Sequence, residues 1–333
     1  MGYFRCTKCG KPYGIREIEN NPVPRCSCTS ILEAVDITFE KEITMGEGDT
    51  PLISCDNLGR NVFVKCEYIN PTGSFKDRGS AIEISQALRL KKDTVVVAST
   101  GNMAASVAAY SAFAGLKCKV FIPNTIHNNK LKQIYAYGAE VIPVVGGYTV
   151  AMNLAEDYVK QHKNAFLAGD YVYRFSGTEE IGREIFYKMS VPDYIIVPIG
   201  NGTIFCAIYK YFKGLVDRKL TSRTPKMIGV QAEGCNPIYK AWKEDTVITP
   251  IDNPKTIAIA LACGNPIYGD YVLEIVKESK GELISINDVE LKSAQEILGR
   301  NGFGVEVSAA AGYAGYLKRK YSGYVVIILT GRT

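Results

Sequence analysis

From Lys92 onward, short runs of β-branched and aliphatic residues alternate with amphipathic stretches. The runs are 94–98, 117–122, 140–145, 194–197, 227–231 and 324–329. Nearly continuous apolar strands separated by helical patterns predict parallel sheets covered on both faces. Ahead of them, Val62-Phe63-Val64-Lys65-Cys66-Glu67 reads as one more strand. It runs into a Pro/Gly turn and then a helix carrying Ala81, Ile82, Ile84, Ala87 and Leu88, with Ser74 or Thr72 available to cap its first amides. Another helix is predicted from Ile204 to Phe212, directly after a strand and a glycine turn. The fold class is α/β, and ligands in such sheets bind beyond the carboxyl ends of the strands.

Composition narrows the class without changing it. The chain has 333 residues, which suits about two domains at roughly 150 residues each. A hydrophobic fraction of 47% with 22% charged residues is ordinary for a soluble globular protein. The formal net charge is +5, but Lys and Arg are interspersed with Asp and Glu, and Lys318-Arg319-Lys320 is only a short cluster. No nucleic-acid partner is expected from that pattern. No apolar stretch reaches the roughly 18 residues a membrane span needs, and Met1-Gly-Tyr-Phe-Arg-Cys6 lacks the order of a secretory signal. The expectation is a cytoplasmic protein with no membrane partner.

Ten cysteines divide into two kinds. Cys55, Cys66, Cys118, Cys206, Cys235 and Cys263 are spread singly through apolar or mixed segments, as buried thiols in a reducing compartment are. Cys6-x2-Cys9 and Cys26-x-Cys28 have paired, zinc-ribbon-like spacing, and Gly10 follows the first pair where a knuckle turn belongs. Four thiolates can close a tetrahedral site for structural zinc. The second pair has one intervening residue where two are commoner, so a metal-free remnant is the other reading.

One segment carries chemistry at unusual density: Asn70-Pro-Thr-Gly-Ser-Phe-Lys-Asp-Arg-Gly79. It resembles, almost letter for letter, the lysine motif of fold-type II pyridoxal-phosphate (PLP) enzymes, the family of threonine synthase, serine/threonine ammonia-lyases and cysteine synthase. The wording is most similar to threonine synthase. The resemblance continues in order through Gly46–Leu52, Ala98-Ser-Thr-Gly-Asn102, Pro198-Ile-Gly-Asn-Gly-Thr203, Gly229–Gly234 and Leu329-Thr-Gly331. It implies two parallel-sheet αβα domains, with a small domain of residues 61–174 inserted into a large PLP-binding domain of 36–60 and 175–333. A zinc-ribbon-like module of residues 1–35 precedes them, and a homodimer is implied.

The cofactor, pyridoxal 5'-phosphate, needs an amine, a phosphate cradle, a partner for its pyridine nitrogen and a contact for its ring hydroxyl. The resemblance assigns each. Lys76 is the amine that joins the aldehyde and later moves protons, and Phe75 beside it packs on the ring or in the core. Gly200, Asn201, Gly202 and Thr203 lie between a strand and a helix, where amides and the positive helix end suit a phosphate dianion. Asn102 contacts the ring hydroxyl, and Thr330 places a neutral hydroxyl against the pyridine nitrogen. Ser99, Thr100 and Gly101 suit a substrate carboxylate. Lys130 and Arg174 match positions that hold a substrate phosphate. His127 and His162 have no triad-like context and receive no role.

The chain departs from the family wording at several positions. Met103 stands where a threonine is usual, Ser176-Gly-Thr-Glu-Glu180 replaces Glu-Gly-Gln-Lys-Thr, Thr203-Ile204 replaces a second Gly-Asn, and Ala262 replaces an arginine. The sequence stops at Thr333, where relatives continue for a few residues. The resemblance implies conversion of O-phospho-L-homoserine and water to L-threonine and phosphate. A β-eliminating or β-replacing enzyme acting on serine, threonine or O-phosphoserine is the nearest alternative, and a non-catalytic cofactor carrier or ribbon-based binding protein that keeps the fold is the alternative of another class.

Overall fold

Each apolar run forms a strand hydrogen-bonded within a sheet; all are largely buried except the run at 140–145, an edge strand that is mostly exposed or half-buried. The computed structural model describes residues 2–124 and 130–332. In chain order the strands are β1 (Tyr3–Cys6), β2 (Pro12–Tyr13), β3 (Leu32–Val35), β4 (Leu52–Ser54), β5 (Val62–Lys65), β6 (Thr94–Ala98) and β7 (Lys117–Pro123). They continue as β8 (Glu140–Val144), β9 (Ala165–Leu167), β10 (Tyr194–Pro198), β11 (Lys226–Ala232), β12 (Glu282–Ile286) and β13 (Val325–Ile328). The helices are α1 (Ile15–Glu19), α2 (Lys76–Arg89), α3 (Asn102–Phe113), α4 (Lys130–Ala136), α5 (Tyr148–Gln161) and α6 (Val172–Thr178). After them come α7 (Glu180–Met189), α8 (Thr203–Asp217), α9 (Pro237–Glu244), α10 (Gly269–Glu278), α11 (Asp288–Arg300) and α12 (Val307–Leu317).

The described residues divide into two compact units, one of residues 1–47 and 70–177, the other of 48–69 and 178–333. In the first unit, a four-stranded sheet of order β8-β7-β6-β9 is parallel throughout. A separate antiparallel sheet of order β2-β1-β3 carries the amino-terminal segment. Phe4, Ile18 and Leu32 from that segment share one hydrophobic cluster with Ala81, Val95, Ala104 and Val120. The amino-terminal module is therefore packed into the first unit's core.

In the second unit, a six-stranded sheet of order β12-β11-β10-β13-β5-β4 is parallel except for β4. Strand β5 has no local parallel partner and pairs with β13, at the other end of the chain. Helix α12 is apolar around its whole circumference, and residues Ser308–Gly315 are all buried. Its small residues allow a close approach to the sheet: a Cβ at Gly315 would lie 2.6 Å from Val230 Cγ2. Helix α3 is likewise buried from Met103 to Ser111. These two helices lack the polar stripe of a surface helix because sheet or helix covers every side.

Candidate active site

Lys76 is the first residue of α2, and the turn before it is fixed from inside the helix. Gly73 has φ +91°, and its N–H reaches Asn70 O at 2.8 Å, closing a tight turn that a side chain would strain. Asp77, fully buried, accepts from the Thr72 N–H at 2.7 Å and from the Thr72 hydroxyl at 2.5 Å. Thr72 is thus a donor to the helix, and of the two expected capping residues only Ser74 contacts a leading amide, that of Lys76, at 3.4 Å. The motif locks its own turn so that residue 76 begins the helix.

The Lys76 side chain is only 17% exposed, its Nζ lying 3.4 Å from Asp170 Oδ1 and 4.8 Å from the centre of the Phe75 ring. Burial pushes its basicity below that of a free lysine; Asp170 opposes that shift, Arg174 adds to it and Glu83 opposes it. A neutral amine is the form that attacks an aldehyde.

Arg174 lies on α6, a helix at the expected boundary between the small and large domains, and is wholly buried. Its Nη1 donates to Lys76 O at 2.8 Å, its Nη2 donates to Ser80 Oγ at 3.1 Å, and it forms an ion pair with Glu83. Two glycines make this reach possible. A Cβ on Gly79 would fall 2.5 Å from Arg174 Cγ, and one on Gly177 would fall 2.2 Å from Arg78 O. Burial raises the Glu83 carboxyl above its ordinary range, while Arg174 and the N–H of Gly169, at 2.8 Å, favour its ionised form. Neither Glu83 nor Asp170 was singled out from sequence; the glycine of Lys-Asp-Arg-Gly79, a close-approach signal, was the available hint.

Also in the first unit, Ala98 ends β6 and Ser99, Thr100 and Gly101 lead into α3, which opens at Asn102. The Ser99 hydroxyl accepts from the Gly101 N–H at 3.3 Å. These four residues are half-buried, as a ligand loop must be, whereas Met103 is buried in the hydrophobic core. That departure from the family wording is a packing change. Lys130 begins α4, and its Nζ donates to Gln133 Oε1 at 3.3 Å. His127 and the two asparagines after it lie outside the described residues.

In the second unit, β10 runs into Gly200-Asn201-Gly202 and α8 opens at Thr203. Asn201 is clamped: its Oδ1 accepts from Cys263 Sγ at 2.8 Å, and its carbonyl accepts from the Tyr268 N–H at 3.0 Å. Gly202 has φ +96°, and a Cβ there would lie 2.9 Å from both Tyr268 Cβ and Val272 Cγ2. At Gly200 a Cβ would lie 2.7 Å from Ala260 O. Only glycine fits at either place. Thr330 follows β13, the strand paired in parallel with β10, so it and the glycine turn sit at the same carboxyl edge of the sheet. Gly202→Ala is expected to lower stability by about 1–3 kcal/mol through backbone strain and overpacking. A parallel loss of PLP affinity, read by cofactor titration, is the accompanying outcome.

Each unit carries groups of a kind that suits pyridoxal phosphate. A shielded lysine with lowered basicity suits the aldehyde. A glycine-only turn at a helix start suits the phosphate, because the first turn of any helix leaves N–H groups outside its own ladder. Thr330, 7% exposed, brings a neutral hydroxyl.

At the amino terminus, Cys6, Cys9, Cys26 and Cys28 have sulfurs all within 4.8 Å of one another. Four of the separations are 3.3 Å (26–28), 3.5 Å (9–26), 3.6 Å (6–28) and 3.8 Å (9–28). A tetrahedron with metal–sulfur bonds of about 2.3 Å has edges of about 3.8 Å. Among the described residues, no helix is long and apolar enough to cross a membrane.

Residues 43–331 match the family model described as pyridoxal-phosphate dependent enzyme. The threonine synthase of Methanosarcina acetivorans is 36% identical over 99% of this chain and 91% of its own length. That of Methanocaldococcus jannaschii is 35% identical over 96% of this chain and 88% of its own. The solved structure of maize serine racemase aligns with TM-score 0.73 at 23% identity, covering 85% of this chain and 87% of that one, and shows the shared fold. The chain belongs to the fold-type II pyridoxal-phosphate dependent enzymes and, among them, to the threonine synthase family.

Proposed function

We propose that the chain converts O-phospho-L-homoserine and water to L-threonine and inorganic phosphate. The observation that carries the reading is a shielded lysine of lowered basicity at the start of α2, in a chain aligned almost end to end with threonine synthases. Bound PLP supplies an aldehyde that joins amines and a ring that draws electron density from the neighbouring carbon. Lys76 holds and moves the protons, its amine kept in place by Asp170 and its backbone by Arg174. Asn102 orients the ring, the 200–203 turn anchors the phosphate, and Thr330 meets the ring nitrogen with a group too weakly acidic to protonate it.

Ser99, Thr100 and Gly101 orient the substrate carboxylate, and Lys130 pairs with the substrate phosphate. Arg174 is engaged by three groups of its own unit, so we assign it to positioning Lys76 in place of the phosphate contact expected from the family wording. Incubation with O-phospho-L-homoserine should release phosphate and threonine in equal amounts. Ketoacid and ammonia from serine or threonine, without that reaction, would move the assignment to an ammonia-lyase.

The cysteine cluster is proposed to hold structural zinc, supported by the sulfur separations. Metal analysis should give one zinc per chain, and Cys26→Ser should lose it together with several degrees of thermal stability. Zinc-free protein of unchanged melting temperature would defeat this. The family resemblance supports a cytoplasmic protein and a homodimer, and light scattering on the purified protein measures the second.

A further inference from the structure

We propose that Asp170 is the charge partner of Lys76, favouring its protonated form when Nζ is not joined to the cofactor and so setting the pH range in which the amine is available. The inference rests on Lys76 being the cofactor's lysine. Asp170 follows β9 within Ala168-Gly169-Asp170, a segment with no counterpart in the motifs that identified the family. Its side chain is 3% exposed, and its Oδ1 is 3.4 Å from Lys76 Nζ. A carboxylate so enclosed needs a cation nearby, and Lys76 supplies one.

The surroundings make the pair selective. Arg174 forms an ion pair with Glu83, so these four residues carry two positive and two negative charges, zero net charge when all are ionised. The Gly169 N–H binds Glu83 at 2.8 Å, which fixes the backbone next to Asp170. Asp77, also on α2, is turned to Thr72. Helix α3, packed on α2, faces it with Ser106, which donates to Ser80 at 2.7 Å, and with Tyr110, whose hydroxyl goes to Glu47 at 2.7 Å. Asp170 is the anion in direct contact with Nζ. With Nζ free, its ammonium has a counter-charge within reach, and the neutral amine becomes available when that proton passes to solvent. An asparagine at 170 would keep the shape and remove the charge.

The test uses full-length protein stripped of cofactor, with Lys76 acylation by an amine-selective anhydride followed by peptide mass spectrometry from pH 6 to 10. Asp170→Asn should move the midpoint of Lys76 labelling to lower pH and speed labelling at pH 7 by about tenfold, the equivalent of one unit. Asp170→Glu should restore most of the original profile. In the reconstituted enzymes, the acidic limb of kcat should shift the same way in Asp170→Asn, a change that a merely structural defect would not produce. Identical labelling midpoints in wild type and Asp170→Asn, with both folded by circular dichroism, would overturn the proposal. Borohydride trapping of PLP at Lys76 in the wild type separately tests the reading beneath it, since the labelling profile needs no cofactor.

Discussion

Lys76→Ala is expected to lower threonine and phosphate production by about a thousandfold or more, because one substitution removes both the amine that joins the cofactor and the group that moves protons. Folding should be little affected. Among the described residues the side chain makes one ion pair, with Asp170, and the α2 start is held by Thr72, Asp77 and the Gly73 turn, none of which uses Nζ. The variant should also lack the visible absorption of a lysine-linked cofactor and give no borohydride adduct at position 76. Lys76→Arg keeps the charge but cannot form the linkage, so it should be equally inactive. If Lys76→Ala retains more than a few per cent of wild-type turnover, the lysine has another task and the functional assignment fails.

The largest effect on stability is expected at Arg174. Truncation to alanine leaves Glu83 wholly buried without its counter-charge, and breaking such a pair costs about 3–5 kcal/mol. For a unit of this size that corresponds to a melting temperature lower by on the order of 10 °C. The loss depends on pH with a definite sign. Burial already raises Glu83 above the ordinary carboxylate range, and loss of Arg174 raises it further. The folded variant therefore binds a proton that the unfolded chain has released, so its stability is greatest at low pH and falls as pH rises through the raised value. The gap to wild type should narrow near pH 5 and widen toward pH 8. Arg174→Met combined with Glu83→Gln removes both charges and should recover much of the loss. A single variant melting within a degree or two of wild type at pH 7.5 would refute the structural role. Lost turnover confined to phosphorylated substrates, with stability intact, would return Arg174 to phosphate binding.

The two substitutions separate what is local from what is long-range in this site. The lysine motif could be read directly because its geometry is made by neighbours in sequence: Asn70, Thr72, Gly73 and Asp77 act on one another across a single turn. The glycine turn after β10 was equally legible, since a strand, a Gly-x-Gly and a helix are contiguous. The partners of Lys76 were not. Asp170 and Glu83 carry no local pattern of function, and an acidic residue in a sequence is more often solvated than buried.

The same division holds for the fold. Hydrophobic runs announced β6, β7, β8, β10, β11 and β13; five of these six are the largely buried strands that such runs suit, and β8 is an edge strand that stays mostly exposed or half-buried. Strands β1 to β4 and β9 span two to four residues each, too few to establish a period. By itself, then, the sequence determined the α/β class, the order of the main strands, the cofactor lysine's place at a helix start and the paired thiols at the amino terminus. Only the tertiary structure decided that β5 pairs with β13, that the amino-terminal module shares the first unit's core, and that Arg174 turns inward to Glu83 and the Lys76 carbonyl. The physical reason is that those outcomes depend on packing and charge pairing between segments far apart in the chain, whose free energies appear only once backbones come as close as Gly79 and Gly177 allow.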